Sequence, residues 1–177
     1  DISEIPIQTI TANGILAGGR EYPCDIIIYA TGFDAITGSF DRIDIQGVDE
    51  VKLKDVWHDG PQTYLGIMVE RFPNMLMAMG PHSGLGNYTR TAEYSVEWIT
   101  DLIEYAEGCG LTRFAATNQG VKEWTNYVLG LGQDLLMNEI GSWMTGVNKN
   151  IKGKEAPRIM RYSGGHPAFR KHCDAIA

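Results

Sequence analysis

Apolar positions along this chain change their period several times, and each change marks an element. Residues 7–22 alternate between apolar and polar and turn at Asn13-Gly14 and Gly18-Gly19. That pattern predicts a β-hairpin or a short three-stranded meander. A continuous apolar run at 26–30 follows and stops at Thr31-Gly32, which reads as a strand buried on both faces. A second such run, 75–79, ends at Gly80-Pro81. Residues 64–69, 112–116 and 159–162 read as further short strands, and 35–62 as a turn-rich stretch over a sheet edge. Helical spacing begins with Ala92, Val96, Ile99, Leu102, Ile103 and Ala106, closed by Gly108 and Gly110. Val121, Trp124, Val128, Leu131, Leu135 and Leu136 mark a second helix, weakened by Gly130 and Gly132. A polar loop at 138–154 and a terminal helix at 169–176 complete the pattern. Strands alternating with helices predict an α/β fold with a parallel component.

Composition narrows the possibilities. At 177 residues the length suits one domain with a sizeable core. A net charge of −7 with no basic run argues against a nucleic-acid partner. Neither long apolar run approaches the roughly 20 residues that span a bilayer. Cys24, Cys109 and Cys173 are few and scattered, which suits a reducing cytosol better than a disulfide scaffold. His58, His82, His166 and His172 show no metal-ligand spacing, so no metal site is expected. Asp1 is not a start methionine, and a truncated or cleaved chain is expected from it.

Three stretches carry candidate chemistry. At residues 30–34 a strand end meets a glycine, the place where open α/β sheets bind ligands; a plain strand end with Asp34 capping a turn is the other reading. Residues 79–87 join a predicted strand to a helix. A helix N-terminus carries roughly half a positive charge and favours anions, although Asn87 or Thr89 is equally suited to N-cap the helix. Trp143 lies in a polar loop, where its ring suits a bound nicotinamide or ketone, or pins the loop to the core. Trp57, Trp98 and Trp124 read as core or domain-interface residues. Arg158, Arg161 and Arg170 read as surface charges or contacts to other domains, and Lys154 as a solvated lysine or a phosphate contact. No Gly-x-Gly-x-x-Gly follows a strand: Gly84-Leu85-Gly86 continues as Asn87-Tyr88-Thr89.

Ala30-Thr31-Gly32-Phe33-Asp34 resembles a signature of flavin-dependent monooxygenases with two dinucleotide-binding domains. Trp57-His58-Asp59-Gly60-Pro61, Phe72-Pro73-Asn74-Met75, Gly80-Pro81-His82-Ser83, Ser142-Trp143 and Tyr162-Ser163-Gly164-Gly165 resemble successive blocks of the Baeyer–Villiger monooxygenases, in order. The resemblance covers residues 8–177 and corresponds to the C-terminal third of such an enzyme. It implies the C-terminal portion of a Rossmann-like FAD/NAD(P)-binding flavoprotein, incomplete on its own. Residues 1–90 would return the chain to the FAD domain, and 91–177 would form its helical, substrate-lid region. It further implies FAD and NADP(H) as cofactors, with a ketone and O2 converted to an ester or lactone. Thr31, Gly32, Asp34, Gly80, Pro81, Ser83, Asn87 and Trp143 would contact cofactor, and Leu85, Trp143 and Met144 would line the substrate site. The family's essential arginine lies in the NADPH domain, so no catalytic residue is expected in this chain, which alone should be inactive. Its partners would be the remaining FAD and NADPH domains, and self-association is expected of the exposed strand edges. The alternatives are a stand-alone binding module derived from such an enzyme, or a related N- or S-oxidising flavin monooxygenase. The Trp57 and Trp143 blocks favour the ketone-oxidising branch.

Overall fold

The computed structural model describes residues 4–30, 33–84 and 86–176, in two compact units that divide between residues 32 and 33. The first unit is the predicted meander. Strands β1 (Ile7–Ile10), β2 (Gly14–Ala17) and β3 (Arg20–Pro23) pair antiparallel in that order. Ile10 faces Ile15, and Ala17 faces Arg20 across a two-residue Gly18-Gly19 turn. Both glycines have positive φ, as the hairpin twist requires.

Residues 26–30 differ from expectation. They form no strand, and Ile26 and Ile28 are 79% and 83% exposed. An apolar run is buried only where neighbouring strands cover it, and among the described residues none pairs with it.

The second unit is built on helices. Short helices α1 (Gly38–Asp41) and α2 (Leu53–Val56) precede the long α3 (Tyr88–Gly108), then α4 (Asn118–Gly132) and α5 (His166–Asp174). Asn87 and Thr117 N-cap α3 and α4, accepting from the N–H groups of Arg90 and Gly120. One core joins Trp98, Trp124, Val128, Tyr162 and Phe169 between the three longer helices. Trp124 stacks on Tyr162 at 5.2 Å, and the Trp98 Nε1–H donates to the Cys173 carbonyl, tying α3 to α5. A smaller core gathers Leu53, Trp57, Val69, Phe72 and Met77. Gly132 is tolerated at the end of α4 because Ile159 packs where its side chain would stand.

The expected strands at 64–69, 75–79, 112–116 and 159–162 are absent. These runs are buried in part but irregular, held by single bridges such as Tyr64 with Met68 and, in parallel, Gly84 with Tyr162. Short apolar runs look alike whether they enter a sheet or wedge between helices; here no ladder partner is available among the described residues. The one sheet described is antiparallel, so the parallel component reduces to the Gly84–Tyr162 bridge.

Candidate functional site

Residues 80–84 form the floor of the site, and their course is set by close backbone packing. Gly66 has φ +68°, and a methyl group there would collide with the backbone of Ser83. Gly80 in turn lies against the Gly66 carbonyl. Thr63 Oγ1 donates to the Pro81 carbonyl at 3.1 Å. His82 N donates to Met160 O at 3.0 Å, and Tyr162 N to Ser83 O at 3.3 Å, so the loop runs beside residues 160–162. His82 is fully buried, with φ +66° and its Nε2 at 3.1 Å from Ile159 O. Burial pushes its imidazole down to about 4, only partly opposed by the Ile159 carbonyl. It is therefore a neutral structural group at pH 7.

A cleft of about 530 Å³ opens above this floor. Gly80, Ser83 and Gly84 form its base, Tyr88 and Ala92 its helix side, and Ile36 and Trp143 its rim. Ile36 holds φ +65°, unusual for a β-branched residue. Trp143 is presented by a short 3-10 turn, Trp143–Thr145, rather than a loose loop. Ser142 Oγ accepts from Met144 N at 3.2 Å, and the buried Thr145 hydroxyl returns a bond to Ser142 O at 2.8 Å. Trp143 is 43% exposed, whereas Trp57, Trp98 and Trp124 are 4%, 7% and 5% exposed. The core reading holds for those three, and Trp143 is not pinned to the core.

The two rims are joined by an ion-pair cluster. Lys154 Nζ lies 2.6 Å from Asp34 Oδ1 and 2.7 Å from Asp41 Oδ2. Burial lowers the lysine pKa, but hydrogen bonds to Asp34 and Asp41 outweigh it, and the net shift is upward. Lys154 is thus neither a solvated lysine nor free for a phosphate, and Asp34 is a structural anchor beside the cleft.

The structure brings Gly80, Ser83 and Trp143 together on one cleft. Pro81 is buried beneath it. Asn87 serves as the α3 N-cap. Met144 is not on the cleft; it lines a narrow gap with Leu135 and Asn138. Thr31, Gly32 and Leu85 lie outside the described residues. Sequence reasoning passed over Tyr88 and Ile36, and read Arg161 only as a surface charge or a contact to other domains; all three line the cleft. Arg161 carried one signal, a charge set between buried Met160 and Tyr162. A larger groove of about 810 Å³ between Gly60, α4 and Arg158 holds none of the predicted site residues. Among the described residues no cluster of metal-ligating side chains occurs, and no helix is long and apolar enough to cross a membrane.

No family model matches the chain. It is 38% identical over 179 residues to 2-oxo-Δ3-4,5,5-trimethylcyclopentenylacetyl-CoA monooxygenase of Pseudomonas putida, covering 100% of this chain and 33% of the relative. It is 36% identical over 171 residues to cyclohexanone 1,2-monooxygenase of an Acinetobacter species, covering 96% and 31%. The crystal structure of OTEMO in complex with FAD and NADP matches with a TM-score of 0.86 and 37% identity, over 99% of this chain and 32% of that one. Throughout its length, then, the chain is related in sequence and fold to a segment of the Baeyer–Villiger monooxygenases, and it spans about a third of their length.

Proposed function

We propose that this chain is part of an FAD- and NADPH-dependent monooxygenase that inserts one oxygen atom beside a ketone carbonyl, giving an ester or lactone. One observation carries the reading. Gly80 and Ser83, about sixty residues before Trp143, share a single cleft with it, and all three lie in sequence blocks that resemble the family.

The cleft suits the cofactor. Gly80 and Gly84 are confined to glycine from the inside, where a side chain would strike the Gly66 carbonyl or Phe169, and their backbone lines the cleft as a wall against which a flat ring can lie. Reduced FAD, when bound, supplies the activated oxygen. The chain's own residues position and shield. The 80–84 backbone forms the flavin-facing wall, Trp143 covers nicotinamide or ketone, and the apolar faces of Ile36, Met79 and Ala92 exclude water. Residues 1–90 belong to the FAD-domain side of the parent protein, and 91–177 to its substrate-facing helical part. Cys24, Cys109 and Cys173 are all unpaired, which suits a cytoplasmic setting. The exposed 26–30 run suits association with the rest of the parent protein or with itself.

The test is ketone-dependent NADPH oxidation by the FAD-loaded protein that contains this chain, with the ester identified by mass. Ester formed in step with NADPH supports the reading. FAD-loaded protein that consumes no NADPH with any ketone, or returns only N- or S-oxides, overturns it. The 177 residues alone are expected to show no turnover.

A further inference from the structure

The cleft has one charged side chain among its described lining residues, Arg161, and no acidic one. Its Nη1 donates to the Tyr88 hydroxyl at 3.1 Å. Its Nη2 is buried and has no hydrogen-bond partner. Among the described residues no carboxylate lies within ion-pair distance of it. A guanidinium is charged at every accessible pH and presents a planar fork of donors. Its buried arm is left unmatched among the described residues, in a side chain that lines the cleft with Met79, Met160 and Trp143, and so bears an uncompensated desolvation cost. Tyr88, itself 55% exposed, holds the other arm of the fork at the cleft rim.

We propose that Arg161 is a specificity residue of this cleft, and that the preferred substrate is a ketone carrying an anionic carboxylate. The proposal rests on the ketone-oxidising reading above and names its substrate class. The apolar walls receive the ketone ring. On binding, the guanidinium turns from its unmatched position and takes the carboxylate in a charge-assisted, two-pronged contact. Tyr88 steers it, holding Nη1 at the rim. A neutral ketone of the same size fits the walls but leaves Arg161 unmatched, so it binds more weakly.

The experiment compares 4-oxocyclohexanecarboxylate with its methyl ester. Trp143 is the one exposed tryptophan, so emission quenching reports cleft occupancy. The acid is expected to bind the protein at least tenfold more tightly than the ester. Arg161→Gln is expected to erase that preference without lowering the melting temperature, and Arg161→Lys to keep part of it. In the FAD-loaded enzyme the acid's KM should rise at least tenfold in Arg161→Gln, with kcat within twofold. Equal binding of acid and ester by the wild type overturns the proposal, as does a preference that survives Arg161→Gln, or the failure of both to bind. A higher KM for NADPH with both ketones alike assigns the arginine to the cofactor and also overturns it. Failure of the ketone-oxidising reading looks different: the acid binds as described, but no ester product forms.

Discussion

Replacing Lys154 by methionine removes the cation that, among the described residues, pairs with both Asp34 and Asp41. The lysine and Asp34 side chains are only 13% and 11% exposed, whereas Asp41 keeps 33%. Exposed ion pairs contribute under about 1 kcal/mol, and breaking a buried one costs about 3–5. This cluster lies between, at about 2–3 kcal/mol, because Asp34 is left nearly buried without a counter-charge. For a protein of this size each kcal/mol moves the melting temperature by about 2–4 °C, so Lys154→Met should lower it by roughly 5–10 °C. The folded-state pKa of Lys154 is raised above its ordinary 10.5. Its contribution is therefore complete below that value and is lost as pH climbs through the raised one. The gap between wild type and variant should hold from pH 6 to 9 and narrow as pH climbs past 10.5 through the raised value. Asp34→Asn combined with Lys154→Met should recover much of the loss, because the stranded charge is gone. The cluster also joins the Ile36 rim to the chain that follows Trp143, so the variant should expose Trp143 more fully to acrylamide. Thermal melting by near-ultraviolet circular dichroism reads the first effect. A shift under about 1 °C, or a double variant whose loss is the sum of the two singles, refutes the reasoning.

Three further outcomes follow from the same geometry. Gly66→Ala forces a methyl group into the Ser83 backbone at a positive φ; it should cost about 2–4 kcal/mol in urea denaturation and weaken ligand quenching of Trp143. The His82 imidazole is held down at about 4 from its ordinary 6.5, so the unfolded chain takes up a proton that the native state refuses. Stability should fall as pH drops from 6.5 toward 4, by up to about 3 kcal/mol, and His82→Asn, which tolerates the positive φ, should flatten that slope in urea midpoints; equal slopes would count against it. Asn87→Ala removes the α3 cap and should cost about 1 kcal/mol, read from the same denaturation curves.

The sequence by itself determined the features that repeat locally. Alternation and the Gly18-Gly19 turn specify the meander, and 3.6-residue spacing specifies α3 and α4, because hydrophobic period and turn chemistry act over a few residues. Helix α4 nevertheless ends at Gly132, short of the expected Leu135 and Leu136. It also selected Gly80, Ser83 and Trp143, through blocks whose order matches a known family. Tertiary structure decided the rest. Apolar runs at 64–69, 75–79 and 159–162 became wedges between helices, because a strand exists only where a partner offers its ladder. Residues 26–30 stayed exposed for the same reason. The Lys154 cluster joins residues more than a hundred positions apart, and no local pattern announces such a pairing. Arg161 reads in sequence as a surface charge or a contact to other domains. Only packing reveals that the described residues lining its cleft are otherwise uncharged and include no acid to match it, since burial and charge compensation are set by what folds around a side chain.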